Sequence, residues 1–113
     1  MKYAMVIIES GEEREAPSDA EREFDSLVRW WADLRARGKV IASAKLAPPG
    51  TAATVSWQGQ VPIVTDGPYV EAKESVAGFA LLDVDSKAEA MEIARSWPAR
   101  DRYRIELRPV EQP

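Results

Sequence analysis

The chain has 113 residues, 45% of them hydrophobic and 30% charged, which suits one folded domain and is too apolar for a disordered segment. It contains no His, no Cys and no Asn, which excludes disulfides, thiolate or imidazole catalysis, and metal sites built on Cys or His. Acidic residues outnumber basic ones, 19 to 15, for a net charge of −4, which argues against a nucleic-acid partner.

Residues 2–9 alternate Tyr3, Met5 and Ile7 on one side with Ala4, Val6 and Ile8 on the other, the pattern of a strand covered on both faces. A charged stretch, Glu12-Glu13-Arg14-Glu15, reads as a solvated loop. Ser18-Asp19-Ala20-Glu21 is a capping box after Pro17, and opens a helix. Its apolar stripe is Phe24, Leu27, Val28, Trp31 and Leu34, and Gly38 stops it. A second strand is expected over Val40–Ala44, then a loop through Pro48-Pro49-Gly50. Ala53–Trp57 and Val61–Thr65 read as a hairpin about Gln58-Gly59-Gln60, and Asp66-Gly67-Pro68 turns the chain again.

Val76–Val84 is a further apolar strand, with Val76, Ala80, Leu82 and Val84 on one face and Ala77, Phe79 and Leu81 on the other. Gly78 within it signals close approach of backbone or ligand. Ser86-Lys87-Ala88-Glu89 caps a second helix carrying Ala90, Ile93, Ala94 and Trp97, ended by Pro98. The last strand, Tyr103–Val110, sets Tyr103, Ile105 and Leu107 against Arg104, Glu106 and Arg108.

The order β-α-β, hairpin, β-α-β is that of an α+β ferredoxin-like sandwich: an antiparallel sheet with two helices on one face. That face is expected to pack on Phe24, Leu27, Val28, Trp31, Ile93 and Trp97. The other face is largely apolar, and an uncovered apolar face calls for a partner, most economically a second copy of the chain. No apolar run approaches the ~20 residues of a membrane span, and the N-terminal apolar run is too short for a signal peptide. A cytoplasmic homodimer with no membrane or nucleic-acid partner, no cofactor and no metal site is the expectation.

Thr65-Asp66-Gly67-Pro68-Tyr69-Val70-Glu71-Ala72-Lys73-Glu74 resembles the signature of the DGPF (DGPFAETKE) group of the YCII-related family. Gly78–Ser86, Glu89-Ala90, Ile93-Ala94, Trp97-Pro98, Ile105–Val110 and, upstream, Lys45-Leu46-Ala47-Pro48 fit the same family, so the resemblance spans nearly all of residues 1–113 as one domain. It implies a fold of the dimeric α/β-barrel kind, with two sheets face to face. It also implies a His/Asp pair suggested for some members. With no His, this chain retains at most Asp66 as the carboxylate. Bacterial members of the group are often encoded beside extracytoplasmic-function sigma factors, which implies a regulatory setting.

The candidate site residues each admit two readings. Asp66 is a general base or ligand-orienting acceptor, or the acceptor of an Asx-type turn. Lys73 and Glu74 are a pair at a pocket mouth or a solvated pair. Tyr69 donates its hydroxyl to a ligand or packs with its tip in water. Gly78 lets a ligand or a backbone come close. Arg108 binds a substrate carboxylate or belongs to a paired edge face. Asp83 and Asp85 read as turn and cap chemistry beside Ser86 rather than a cation site. Trp31 and Trp97 read as core, while Trp30 and Trp57 line a pocket or interface or are partial core. Two functions follow. One is a protein that binds or transforms a small organic metabolite near the Asp66–Glu74 loop. The other is a noncatalytic dimeric accessory or sensor module linked to sigma-factor regulation.

Overall fold

The computed structural model describes residues 1–10, 20–68 and 74–111. The elements run β1 (Lys2–Ser10), α1 (Ala20–Ala36), β2 (Val40–Lys45), β3 (Ala53–Gln58), β4 (Val61–Asp66), β5 (Glu74–Asp83), α2 (Lys87–Arg95) and β6 (Tyr103–Pro109). Strands β2-β5-β1-β6 form one antiparallel sheet, and β3-β4 form a separate hairpin. Without the hairpin, this is the ferredoxin-like order, with β1 and β5 in the middle.

Register decides which residues face the helices. Tyr3 pairs with Leu82, and Met5 with Ala80 and Leu107. These residues form the core with Ile7, Leu34, Val84, Ala90, Ile93 and Trp97. The opposite face carries Ala4, Val6 and Ile8 of β1, with Leu81 and Phe79 beside them on β5 and Arg108, Glu106 and Arg104 beside them on β6. Both helices contribute to the first face only.

β5 departs from the expected alternation where it pairs with β1, and a second register shift lies in β2 between Val40 and Ala42. Ile7 pairs with Gly78 but Ile8 pairs with Val76, so Ala77 is an extra residue in β5. Such a bulge reverses parity beyond it. Val76 therefore joins Ile8 rather than the face of Ala80, and Ala77 packs against the core instead.

A second departure concerns α1. Phe24 and Val28, expected against the sheet, are 66% and 51% exposed. Leu34 is buried and Leu27, Trp30 and Trp31 are partly buried, so α1 is seated by its C-terminal half. That half closes with Lys39 N–H donating to Leu34 O and Gly38 N–H to Arg35 O. The start of the expected capping box, Ser18-Asp19, lies outside the described residues. The second box is present: Ser86 Oγ accepts from Glu89 N–H at 3.1 Å, and α2 ends at Arg95, short of Trp97.

An ion pair ties the loop after α1 to the first turn of α2, with Lys39 Nζ 2.6 Å from Glu89 Oε1. The hydrogen bond from Lys39 holds the Glu89 carboxyl below its ordinary pKa and raises that of Lys39, against the opposing effect of partial burial. A depressed carboxylate contributes stability above its unfolded pKa, ~4.3, and loses it as pH falls through the folded value. A raised lysine contributes below ~10.4 and loses it as pH rises beyond the folded value. Glu89→Gln is therefore expected to lower the melting temperature by a few degrees at neutral pH. The gap from the parent should close as pH falls through the lowered folded value of Glu89, below which both chains carry a neutral group. A gap that stays constant from neutral to acid pH, followed by circular dichroism, would refute the assignment.

Candidate functional site

Because α1 is seated at one end, its N-terminal half and the β2–β5 side of the sheet leave a groove of roughly 900 Å³ between them. Phe24, Leu27, Val28 and Trp31 of α1 line one wall. Ser43–Lys45, the following Leu46–Pro49 segment and Ser75–Gly78 of β5 line the other, with Ile7, Trp97 and Tyr103 at the floor. The loop is proline-rich and so is pre-shaped rather than collapsible, with Thr51 Oγ1 donating to Pro48 O at 2.6 Å.

The floor is one aromatic cluster assembled from three elements. Trp97 meets Trp30 edge-to-face at 5.0 Å, Trp31 at 6.1 Å and Tyr103 at 5.5 Å between centroids. Trp30 is oriented by its indole N–H, which donates to Ser96 Oγ at 2.8 Å. Trp97 is only 6% exposed, yet its indole N–H has no acceptor among the described residues.

The charges on the groove are unequal. Arg35 lies 5.7 Å from the Trp31 ring and donates from Nη2 to Ser43 Oγ at 3.2 Å, spanning α1 and β2. Neither Arg35 nor Lys45 has a carboxylate partner among the described residues. Glu9, the one carboxylate in the lining among the described residues, is 3.5 Å from Arg102 Nη2 and so is already paired.

The residues singled out from the sequence are not all brought to one place. Gly78 is in the groove wall, and what comes close to it is backbone: a Cβ built there would lie 2.7 Å from Ala44 O. Glu74 begins β5 one residue before the groove lining and pairs with Arg104 at 3.2 Å. Arg108 sits opposite Ala4 on the other face of the sheet from Gly78, so the two do not share a cavity. Asp66 ends β4, exposed, and is not in the groove lining. Its carboxylate makes no hydrogen bond or ion pair among the described residues. The turn there is held instead by Gly67 N–H donating to Ala52 O at 2.6 Å and Thr54 Oγ1 donating to Gly67 O at 2.8 Å, with Gly67 at φ 101°. An Asx-type bond is thus not what shapes it. Tyr69 and Lys73 lie outside the described residues. Arg35 and Lys45 share no sequence motif, and neither has a sequence signal of a binding role. The signal that finds them is structural: two cations on one groove with no anion to match among the described residues.

The YCII-related domain profile matches residues 1–112. The chain belongs to the YCII-related family. Its fold is similar to that of a 5-chloro-2-hydroxyhydroquinone dehydrochlorinase from Burkholderia phenoliruptrix, solved in complex with 2,5-dihydroxybenzoquinone. That likeness has a TM-score of 0.51 and 12% identity, covering 100% of this chain and 96% of the other, so it speaks to fold. An uncharacterised protein of Rhizobium meliloti (strain 1021) is 43% identical over 58 residues, 51% of this chain. The match spans 47% of that protein, so the chain covers about half of the curated relative's length.

Proposed function

We propose that this member of the YCII-related family, of its DGPF group, binds a small organic molecule in the groove between α1 and the sheet. The observation that carries this reading is the groove itself: roughly 900 Å³, aromatic at its floor and polar at its rim. A concave, mostly apolar site with a few placed polar groups is the usual form of a small-molecule site. In the sequence the Asp66–Glu74 segment immediately precedes Ser75 of the wall, which supports a site near that segment. Binding rather than acid–base turnover is the simpler reading, since the lining carboxylate Glu9 is neutralised by Arg102.

Val28 is exposed on the groove wall and takes no part in the core, so Val28→Trp fills the cavity without opening a hole elsewhere. It is expected to weaken binding of small aromatic probes about tenfold or more while leaving the melting temperature nearly unchanged. Tryptophan fluorescence titration reads the first and thermal denaturation the second. Unaltered probe binding would remove the groove from the proposal.

The same reading makes the protein a homodimer. Val6, Ile8, Phe79 and Leu81 form an apolar patch on the sheet face that neither helix covers, with Phe79 44% exposed. The hairpin adds Val55, Trp57, Val61, Ile63 and Val64, all exposed. The radius of gyration is 16.3 Å, where a compact chain of this length has about 13 Å. A flat protomer with so much apolar surface is suited to pair with its own copy. Light scattering at micromolar concentration is expected to give twice the 12.6 kDa chain mass, and Phe79→Asp to return it to the monomer value. A parent that scatters as a monomer would end the dimer.

A further inference from the structure

The groove proposed above as a binding site also carries information about its occupant, and we infer that it takes a planar aromatic anion, an aryl carboxylate or phenolate. On that groove reading, three observations point the same way. First, the floor is made of ring faces and edges, with Trp31 and Trp97 6.1 Å apart and Phe24 largely exposed on the wall. A flat π-system gains most from such a surface, through offset or edge-on contacts that an aliphatic chain cannot make. Second, Arg35 and Lys45 stand on the two walls without carboxylate partners among the described residues, and Glu9 is taken by Arg102. Among the described residues the groove therefore offers uncompensated positive charge, in a chain whose net charge is −4. Arg35 is held by Ser43 Oγ and the Trp31 ring, so little of its freedom remains to be lost when an anion arrives. Third, Trp97 bears a buried indole N–H with no acceptor among the described residues. Buried donors in folded proteins are nearly always satisfied, and an oxygen on a ligand seated against Trp97 would satisfy this one. An apolar ligand would leave both cations without a counter-charge and the Trp97 N–H without an acceptor.

The test compares naphthoate with its neutral amide, naphthamide, which has the same rings and no charge, on the full chain by fluorescence titration and calorimetry. Naphthoate is expected to bind at least about tenfold more tightly, and the preference should shrink with added salt. Arg35→Gln and Lys45→Gln should each reduce the ratio of naphthoate to naphthamide affinity and together bring it to about one, with the circular dichroism spectrum unchanged. In proton–nitrogen NMR, the Trp97 indole signal, assigned with Trp97→Phe, should move downfield at saturating naphthoate. Equal affinity for acid and amide, a preference that survives the double substitution, or an unmoved Trp97 signal would overturn the anion assignment while leaving the groove in place. Binding of neither probe, or binding of both that Val28→Trp does not weaken, would instead overturn the groove reading on which it rests.

Discussion

Gly78→Ala is expected to destabilise the protein by about 2–3 kcal/mol, far more than a methyl group on a strand normally costs. The reason is a single close approach. A Cβ at this position would lie 2.7 Å from Ala44 O and 3.5 Å from Lys45 Cα, both backbone atoms of the neighbouring strand. Backbone cannot rotate away as a side chain can, so β2 must move or give up its pairing with β5, where Lys45 sits opposite Gly78. β2 is an edge strand, held on one side only, so displacement is the route the structure would take and total unfolding is not expected. A loss of this size lowers the melting temperature by roughly 10 °C in a domain of this length. Gly67→Ala is a useful contrast: φ there is 101°, but nothing lies within 4 Å of the added carbon. Its cost is backbone strain alone, about 1 kcal/mol or a little more. Urea denaturation of the two variants separates the effects, and equal midpoints would show that the Ala44 contact is not limiting. Since Gly78 and Ala44 both line the groove, a shifted β2 should also change probe affinity, which the Gly67 variant should not.

That contrast bears on what could be read from the residues alone. Strand β1 was legible because apolar residues at every position demand cover on both faces, and the order of elements then leaves little choice of topology. The second helix was legible from Ser86 and Glu89, a local signal answered by a local bond. Gly78 was legible as a place of close approach, but whether a ligand or a strand comes near depends on register, which involves a residue over thirty positions away. The bulge at Ala77 was hidden for a similar reason, as Val-Ala-Gly alternates equally well with or without an extra residue. Phe24 and Val28 mark the apolar side of α1, but periodicity states only which side is apolar, not how near the sheet lies. The groove is the outcome of that unstated distance. The family signature drew attention to Asp66, whereas the unpaired cations Arg35 and Lys45 gather only when α1 is placed over β2.

Trp97→Ala should be the most damaging single change in the molecule, at about 3–5 kcal/mol. Trp97 is the hub of the aromatic cluster, in edge contact with Trp30, Trp31 and Tyr103, and so joins α1, the segment after α2 and the start of β6. Each such pair contributes ~0.5–1.5 kcal/mol beyond simple burial, though the three share one ring and will not add in full. Against the ~5–15 kcal/mol by which domains of this kind are stable, removal of the ring takes about a fifth of the total or more. The damage should be uneven. The N-terminal half of α1 stands away from the sheet, with Phe24 66% exposed, so the helix relies on Leu34 and the tryptophans for its seating. Hydrogen exchange across α1 should accelerate more than across β1, which retains Met5 and its partners Ala80 and Leu107. Trp97→Phe keeps a ring but removes the indole N–H. That donor has no acceptor among the described residues, so its loss carries no hydrogen-bond penalty, and the variant should cost only about 1–2 kcal/mol, from volume alone. Urea midpoints ordered parent, Trp97→Phe, Trp97→Ala are the expected result. A phenylalanine variant as unstable as the alanine one would show that the indole N–H is bonded after all, and would take with it one of the three supports for an anionic ligand.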